Sequence, residues 1–398
     1  METETFTIYD IIHGYIPIDE HAKKIIDTEE FQRLRNIKQL GCCNYVFPSA
    51  THTRFEHSIG VYYLADKYIN ILSEQFTNRY FTNDDKICIK IAALIHDIGH
   101  GPFSHLFDDV ISNNHEYRSV KIFRYMNKKY NFGFDDKQID TIEIMIDPKK
   151  NKYKIPSNKK YLYQIVSNQN GIDVDRFDYL IRDIKMTGLN YGIEYERIMN
   201  HSHIKGNEIV YSDKIKTNID DFFRIRFIMY KEVYNHHTVR AIEYMMKEYI
   251  RLLDIYIGIS EIIETESWIS FIKLTDNITT ILSFLNKSDK VNQLKCMIKD
   301  ISERKIYKMM GEIISDVDMN IYDKEYNSTK IRDYNQIMID KVKISYYGKE
   351  KCKYIQNDKK TYNLLSDNIN HDIYLISIYY KDNKNKQLAS DIFDSIKL

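Results

Sequence analysis

The stretch Ile95-His96-Asp97-Ile98-Gly99-His100-Gly101-Pro102-Phe103-Ser104-His105 places two unlike metal ligands side by side and follows them with two more histidines. An imidazole and a carboxylate together suit a divalent cation that keeps open coordination positions, unlike a closed thiolate cage. Adjacent helical residues diverge by about 100°, so His96 and Asp97 can share an ion only where a helix ends and the chain turns. The glycines and the proline that follow provide that break.

The doublet needs further ligands, and two residues elsewhere in the chain are good candidates. His57 lies just ahead of a helical pattern, in Arg54-Phe55-Glu56-His57-Ser58, and Asp175 lies in Gly171-Ile172-Asp173-Val174-Asp175-Arg176-Phe177-Asp178-Tyr179. A surface pair at a capped helix end is the alternative interpretation of the doublet. Because the doublet ends an apolar helix, and an ionised carboxylate is costly to bury without a partner, we favour a metal site.

Other long strings of the sequence carry a family resemblance. They are Asp10-Ile11-Ile12-His13-Gly14, Phe31-Gln32-Arg33-Leu34-Arg35-Asn36-Ile37-Lys38-Gln39-Leu40-Gly41, Arg54-Phe55-Glu56-His57-Ser58-Ile59-Gly60-Val61, Ile165-Val166-Ser167-Asn168 with Asn170-Gly171-Ile172-Asp173-Val174-Asp175, and Lys273-Leu274-Thr275-Asp276-Asn277. With the doublet, they resemble the HD-domain phosphohydrolases, and more narrowly the deoxynucleoside triphosphate triphosphohydrolases typified by animal SAM- and HD-domain-containing proteins. The resemblance runs from residue 6 to residue 311 and includes no SAM domain.

The resemblance implies a metal set and a catalytic set. The metal set is His57, His96, Asp97 and Asp175. The catalytic set is His115 with the adjacent Glu116, and His100 and His105 near the scissile phosphate. His115 is expected to donate a proton or to activate water. The mixed nitrogen and oxygen ligands suit Fe, Zn, Mn or Mg, and Mg²⁺ is also expected with the nucleotide phosphates.

The resemblance also implies residues that bind nucleotides. The substrate-binding positions are Gln39, Leu40, Arg54, Arg176, Tyr179, Asp183, Arg226, Tyr234 and Asn235. The positions for activating nucleotides between subunits are Asp27, Gln32, Arg35, Lys214, Asn218, His236, Arg304 and Lys308. Phe6 and His237 stand where the family has lysines. We therefore expect a homodimer or homotetramer that responds to GTP or dGTP together with a dNTP.

Composition excludes several other classes of protein. Lys+Arg and Asp+Glu both total 57, so no global field attracts nucleic acid or an anionic membrane. The basic stretch at residues 149–160 has few aromatic residues, and nucleic-acid binding is not indicated. The acidic amino terminus is unlike a signal peptide, and no apolar run is long enough to span a bilayer. Five cysteines without metal-ligand spacing fit a reducing compartment. We expect a soluble cytoplasmic protein, in the host cytoplasm if the source is viral.

Helical periodicity dominates the chain up to about residue 320. Apolar residues recur at helical spacing from Ile59 to Phe76, from Ile87 to Ile95, and from about Asn218 to Ile257, where Gly258 is a predicted stop. Alternation at Val342, Ile344 and Tyr346, and again from Tyr374 to Tyr380, predicts strands. The predicted fold is mainly α, and the resemblance implies a helical HD-domain phosphohydrolase fold. Its catalytic domain is expected in residues 1–320 and a small α+β carboxy-terminal lobe in residues 321–398.

The resemblance implies metal-dependent hydrolysis of a dNTP to the deoxynucleoside and inorganic triphosphate, by attack of water at the α-phosphorus. One alternative is an HD-domain phosphohydrolase that acts on nucleoside monophosphates or cyclic nucleotides. Another is a non-catalytic protein that binds nucleotides or RNA. Three arginines at phosphate-binding positions favour a polyphosphate, and a binding module has no need of His115 beside an open metal site.

Overall fold

The computed structural model describes residues 6–74, 81–111, 113–148, 158–281, 288–318, 336–355, 361–363 and 372–397. Phe76 and most of the basic stretch at residues 149–160 lie outside the described residues. None of the described helices is both long enough and apolar enough to cross a membrane.

Helices dominate the described residues. In chain order they are α1 (Glu20–Ile26), α2 (Glu29–Gln32), α3 (Arg54–Glu74), α4 (Asn83–Ile95), α5 (His105–Asp108), α6 (His115–Tyr130), α7 (Asp136–Ile146), α8 (Lys160–Val166), α9 (Val174–Thr187), α10 (Tyr195–Asn200), α11 (Lys216–Met229), α12 (His237–Ile257), α13 (Ile259–Glu264), α14 (Trp268–Phe271), α15 (Ile278–Ile281), α16 (Asp289–Ser302) and α17 (Lys386–Lys397). Short 3-10 segments occupy Arg33–Asn36, Cys43–Tyr45, Asp213–Ile215 and Asn383–Asn385, and a π-helical turn occupies Tyr230–Tyr234.

The strands form three small sheets. They are β1 (Phe6–Asp10), β2 (Gly14–Ile18), β3 (Ser202–Lys205), β4 (Glu208–Ser212), β5 (Lys308–Ser315), β6 (Ile337–Ile344), β7 (Lys353–Ile355), β8 (Thr361–Asn363) and β9 (Ile373–Tyr380). The strand orders are β1-β2, β3-β4-β7-β8 and β5-β9-β6, and only the β4–β7 pair is parallel among the described strands. The predicted mainly α fold with small sheets in the carboxy-terminal region is confirmed.

The chain divides into two compact units that interleave in sequence. The first takes Met1–Ile225, Gly258–Ile278 and Tyr347–Leu365, and the second takes Arg226–Ile257, Thr279–Tyr346 and Ser366–Leu398. Both units therefore draw on segments from either side of residue 320. The predicted domain boundary at that residue stays a prediction.

Helix α3 organises the first unit. One long face of this helix is buried, including Leu64 and Tyr68, and the helix packs against α4 and α9. Helix α4 begins at a capping box in which the Thr82 hydroxyl accepts from the Asp85 amide and the Asp85 carboxylate accepts from the Thr82 amide. These contacts satisfy two backbone donors at the helix start. Helices α3 and α9 each contain one of the predicted metal ligands, and α4 ends directly before the other two, so the packing of these helices positions the site.

In the second unit, α17 packs on the β5-β9-β6 sheet. The shared core is apolar and consists of Ile337, Ile376, Ile378, Tyr380, Ala389, Ile392 and Ile396. Both predicted strands are confirmed as β6 and β9, although Tyr346 lies beyond the end of β6. The alternation was visible in the sequence because successive strand residues point to opposite faces of a sheet.

The predicted helix from residue 218 to 257 is two helices. Helices α11 and α12 are separated by the π-helical turn, which the continuous apolar periodicity did not reveal. The predicted stop is confirmed, because α12 ends at Ile257 and Gly258 has a φ of +69°. That left-handed conformation favours glycine.

Candidate metal centre and active site

The His96-Asp97 doublet lies where α4 ends. Ile95 is the last residue of this helix, His96 forms its carboxy-terminal cap, and the chain turns immediately afterwards. The predicted break is therefore confirmed. His57 lies inside the first turn of α3, whereas the sequence pattern had placed it just ahead of a helix. Asp175 lies in the first turn of α9, whose start is capped by the Asp173 carboxylate accepting from the Arg176 amide at 2.9 Å.

The four predicted metal ligands converge on one point. His57 Nε2 lies 3.3 Å from His96 Nε2, 3.2 Å from Asp175 Oδ1 and 3.5 Å from Asp97 Oδ2. His96 Nε2 in turn lies 3.4 Å from Asp97 Oδ1 and 3.5 Å from Asp175 Oδ1. Donor atoms bound about 2.1 Å from a common ion are separated by distances of this size. His57, His96 and Asp97 are buried, whereas the Asp175 side chain is 33% exposed and forms the accessible side.

Both imidazoles have their second nitrogen engaged. His57 Nδ1 is 2.8 Å from Asp178 Oδ2, and His96 Nδ1 is 2.8 Å from the Ala93 carbonyl oxygen. Because a carboxylate and a carbonyl oxygen can only accept, each Nδ1 carries the proton and donates. The Nε2 lone pairs of both rings therefore face each other at the convergence point. This arrangement of ring orientation and tautomer is the one that outer carboxylates and carbonyls impose on metal-binding histidines.

The electrostatics of the cluster favour a cation. Burial lowers the pKa of His57, but hydrogen bonds to Asp175 and Asp178 and the charge of Asp97 more than offset this, so the pKa is raised to about 9. The pKa of His96 is also raised against burial, by Asp97 and Asp175. The site thus attracts positive charge, either as protons or as a metal ion. With two imidazoles and two carboxylates as donors, it fits a divalent metal ion.

The loop after the doublet is held by buried side chains. Arg33 donates to the carbonyl oxygens of Ile98 and His100 at 3.0 and 2.8 Å. Arg118 Nε donates to the Gly99 carbonyl oxygen at 2.8 Å. Gly99 is also required sterically, because a Cβ there would collide with the backbone of α6. The carbonyls of Ile98, Gly99 and His100 thus each have a fixed partner, which keeps the loop in place.

Beside the metal ligands lies a second cluster of four residues, His100, His105, Asp108 and His115. The buried His100 ring stacks on His115 with centroids 3.8 Å apart, and its Nε2 lies 3.2 Å from Asp97 Oδ1. Neither His100 nitrogen has an aligned hydrogen-bond partner among the described residues. Burial and the charges of Arg54 and His115 hold the pKa of His100 well below its usual value. His100 is therefore a neutral imidazole whose ring nitrogens lack an aligned partner among the described residues, next to the predicted metal ligand Asp97.

His115 is oriented by an acid that the sequence prediction missed. Its Nδ1 lies 2.6 Å from Asp108 Oδ2 and 3.6 Å from Glu116 Oε2. Asp108 also forms an ion pair with the buried Arg118. Burial raises the pKa of Asp108, but its bonds to His115 and the nearby cationic groups lower it well below the usual range. Asp108 is thus an anion that fixes the His115 ring, leaving Nε2 for a proton transfer. The His105 side chain is 72% exposed at the edge of this cluster.

The predicted substrate residues of the first unit have varied environments. Arg54 is buried and donates to Asp97 Oδ2 at 2.6 Å, to Ser104 Oγ at 3.0 Å and to the Gln39 carbonyl oxygen at 3.1 Å. Gln39 is buried and its Oε1 has no hydrogen-bond partner among the described residues. Leu40 is partly exposed. The shortest hydrogen bond of the Arg54 guanidinium is therefore to the predicted metal ligand Asp97, a contact that the sequence did not predict.

Helix α9 carries the remaining predicted substrate residues of this unit. Arg176 is 28% exposed and forms an ion pair with Asp173. Asp183 is buried, with Oδ1 2.7 Å from His52 Nε2. Tyr179 is partly exposed. These residues lie on the same helix as Asp175, one to eight positions further along the chain.

Arg226, Tyr234 and Asn235 belong to the second unit. Arg226 donates to the Ser345 carbonyl oxygen at 2.8 Å. The Tyr234 ring packs edge-on against Tyr230 at 5.1 Å, and Asn235 Nδ2 donates to the Tyr230 carbonyl oxygen at 2.7 Å. The π-helical turn thus determines where Tyr234 and Asn235 lie. Their predicted role in substrate binding stays a prediction.

The predicted activator positions fall in both units. In the first, Arg35 Nε donates to Gln32 Oε1 at 2.8 Å, and Asp27 pairs with Lys23 at 2.9 Å. Also in the first unit, Asn218 Oδ1 accepts from Arg197, and Lys214 lies in the 3-10 segment Asp213–Ile215. The second unit contains His236, Arg304 and Lys308. The structure brings Gln32 and Arg35 together, and the activator role of all these positions stays a prediction.

The sequence prediction missed a buried group of four residues behind His57, which consists of Asp10, His13, Asp178 and Arg182. Asp178 accepts from Arg182 Nε at 2.9 Å, and Arg182 Nη1 donates to Asp10 Oδ2 at 2.8 Å. His13 Nε2 is 2.7 Å from Asp178 Oδ1. The spacing of Asp178 and Arg182, four positions apart on an amphipathic helix, was a detectable signal for a buried ion pair. No comparable signal linked them to Asp10 or His13.

Comparisons with known proteins agree with this geometry. A family model described as the HD domain matches residues 54–183. An HD domain-containing protein of Acanthamoeba polyphaga mimivirus is 43% identical over 340 residues, which make up 76% of this chain and 72% of that protein. The deoxynucleoside triphosphate triphosphohydrolase SAMHD1 homolog of Dictyostelium discoideum is 32% identical over 358 residues, 86% of this chain and 68% of that protein. SAMHD1 of Homo sapiens is 35% identical over 363 residues, 81% of this chain and 57% of that protein.

The fold and the converging histidine and aspartate donors define a hydrolase of the HD-domain class. Within that class, the extent and identity of the matches place the chain more narrowly. This chain belongs to the SAMHD1 family.

Proposed function

We propose that this protein hydrolyses dNTPs to the deoxynucleoside and inorganic triphosphate. The observation that carries the proposal is the placement of the four metal donors directly beside the stacked His100 and His115 pair. Relatives that align with most of this chain are named deoxynucleoside triphosphate triphosphohydrolases. A phosphoester hydrolase requires an open metal site next to an oriented histidine, whereas a protein that only binds nucleotides does not.

His57, His96, Asp97 and Asp175 would hold a divalent ion, which would supply Lewis-acid activation of water and offset charge on a phosphoryl oxygen. His115, held by Asp108, donates a proton to the leaving oxygen or removes one from the attacking water. Neutral His100 donates a hydrogen bond to a phosphate oxygen without adding a charge that would repel the neighbouring arginine.

Two features support a nucleoside triphosphate over a smaller substrate. Arg176 follows Asp175 on α9 and is partly exposed, so a guanidinium that is paired with Asp173 can also contact a phosphate chain. Tyr179 and Asp183 follow at helical spacing on the same helix, and the family resemblance assigns them to the surroundings of the sugar and base. A tyrosine packed against the deoxyribose 2′ carbon excludes a hydroxyl sterically, which would favour deoxynucleotides over ribonucleotides.

Product analysis tests this proposal. Purified protein is incubated with each dNTP, GTP and Mg²⁺ or Mn²⁺, and the products are separated by ion-exchange chromatography. We expect deoxynucleoside and inorganic triphosphate in equal amounts, and no product from the His115→Gln variant. Release of pyrophosphate or orthophosphate would refute the proposal. Activity confined to nucleoside monophosphates or cyclic nucleotides would favour the alternative class of HD-domain phosphohydrolase.

We further propose that nucleotides activate the enzyme by bridging subunits. The adjacent Gln32 and Arg35 side chains offer amide and guanidinium groups at the first predicted activator position. A ligand that binds the assembled state more tightly than the free subunits shifts both assembly and activity. Light scattering and activity are measured together across a GTP titration at fixed dATP. We expect a dimer or weak tetramer to shift towards tetramer as activity rises. Full activity of a dimer without guanine nucleotide would refute this proposal.

A further inference from the structure

The carboxylate of Asp178 connects a metal ligand with the amino-terminal hairpin. One oxygen, Oδ2, lies 2.8 Å from His57 Nδ1, and the other, Oδ1, lies 2.7 Å from His13 Nε2. Arg182 bridges both oxygens, with Nε and Nη2 each at 2.9 Å. Asp178, Arg182 and the His13 and His57 side chains are all buried. Every direction in which the carboxylate could rotate is therefore opposed by a hydrogen bond.

His13 is presented to Asp178 by the turn between β1 and β2. Asp10 Oδ1 accepts from the amides of Ile12 and His13, both at 2.9 Å, which fixes the turn. Asp10 Oδ2 accepts from Arg182 Nη1 at 2.8 Å, which anchors the same turn on α9. The turn is thus built around a carboxylate and places one imidazole against Asp178. Ile11, at the tip of the turn, is 62% exposed and contributes nothing to this contact.

The charges in this group are unequal. Asp10 and Asp178 are two buried carboxylates, and among the described residues Arg182 is the only buried arginine or lysine hydrogen-bonded to them. The surplus negative charge lies directly behind His57, where it holds the Nδ1 proton and strengthens Nε2 as a donor to a cation. The hydrogen bond from His13 restrains the Asp178 oxygen that does not contact His57. Without it, Oδ1 keeps only the Arg182 Nη2 contact, so the carboxylate is less restrained against rotation about its χ2 angle and holds the His57 ring less firmly.

We propose that His13 is a positioning residue for the metal ligand His57, acting through Asp178. The hairpin then contributes to metal affinity although none of its residues reaches the ion. This inference rests on the metal site and is independent of which substrate the enzyme hydrolyses.

The test measures Co²⁺ binding to metal-depleted protein in the absence of nucleotide. Affinity is obtained by competition with a chromophoric chelator, and the visible absorption of bound Co²⁺ reports ligand geometry. The variant His13→Asn shortens the donor so that it no longer reaches Asp178. His13→Gln extends an amide to the position of the imidazole Nε2. Ile11→Asn places the same asparagine on the exposed tip of the same turn and serves as the control.

We expect His13→Asn to weaken Co²⁺ affinity about tenfold, the lower end of the effect of outer-shell partners, and to alter the visible spectrum. His13→Gln should restore most of the affinity, and Ile11→Asn should match the wild type. If His13→Asn does not fold, His13→Phe replaces it with the same expected loss, since it keeps the ring volume without a donor. Wild-type affinity and spectrum in the asparagine or phenylalanine variant would overturn the proposal. An equal loss in Ile11→Asn would also overturn it, because the effect would then belong to hairpin stability.

Discussion

Replacing Gly60 by alanine should disrupt the buried group of Asp178 and Arg182 behind the predicted metal ligand His57. Gly60 lies on α3 three residues after His57, and a Cβ built there would be 2.6 Å from Arg182 Nη2 and 2.7 Å from Asp178 Cγ, and closer still to Asp178 Oδ1. None of these atoms can yield easily, because Asp178 and Arg182 are buried and bonded to each other. The added methyl group must therefore separate the ion pair or displace α3 from α9.

The expected change in the free energy of unfolding is the balance of two opposing effects. Breaking a buried ion pair costs about 3–5 kcal/mol, and alanine returns about 1 kcal/mol of helix propensity over glycine. Net destabilisation of about 2–4 kcal/mol is expected. Because His57 Nδ1 also loses its fixed acceptor, metal affinity should fall by about 10–100-fold.

Urea unfolding followed by circular dichroism at 222 nm, with metal content measured by mass spectrometry, provides the assay. Gly192→Ala is the matched control, because a Cβ there meets nothing within 4 Å and no positive φ is required. The control should keep wild-type stability and metal content. If Gly60→Ala unfolds at the wild-type urea concentration and retains its metal, the contact between α3 and α9 is not as tight as the structure indicates.

Three further predictions concern the site. His115→Asn and Asp108→Asn should each retain metal while kcat falls, by about 10²–10⁴-fold for His115 and by less for Asp108. Single-turnover kinetics together with metal analysis checks both variants. Near-normal turnover of the His115 variant would exclude its acid–base role. Asp175→Ala should lose metal and activity with unchanged helical content by circular dichroism, because its side chain is partly exposed. Asp97→Ala should in addition cost about 3–5 kcal/mol of stability, since it leaves a buried guanidinium unpaired, and equal urea midpoints for the two variants would contradict this. In chelator-treated protein the folded-state pKa of His57, about 9, lies above its unfolded value, so its protonation stabilises the fold fully below about pH 6.5. The unfolding temperature of the protein should therefore fall as the pH rises from 6.5 to 9. The His57→Gln variant should lack the part of this decrease that comes from His57.

Much of the candidate metal centre could be predicted from the sequence because the residues that indicate it are neighbours along the chain. The His96-Asp97 doublet, the apolar run before it and the glycines after it together specify ligands at the end of a helix. The identity of the donors determines which metals suit the site, and this chemistry does not depend on the fold. The helical periodicity and the alternating strands of the carboxy-terminal region are local in the same sense. They report which face of an element is buried.

The partners of the buried polar groups were decided by the tertiary structure. His13 and Asp178 are 165 positions apart, and Asp97 receives the Arg54 guanidinium across 43 positions. Periodicity shows that a residue is buried but not which donor faces it, because that depends on how helices pack and on the rotamers that packing allows. The same limit explains the missed Asp108, which lies seven positions from His115 but reaches it only because the chain turns between α5 and α6. The sequence therefore determined which chemical groups the site contains, whereas the packing of α3, α4 and α9 determined which atoms face the metal and which orient it.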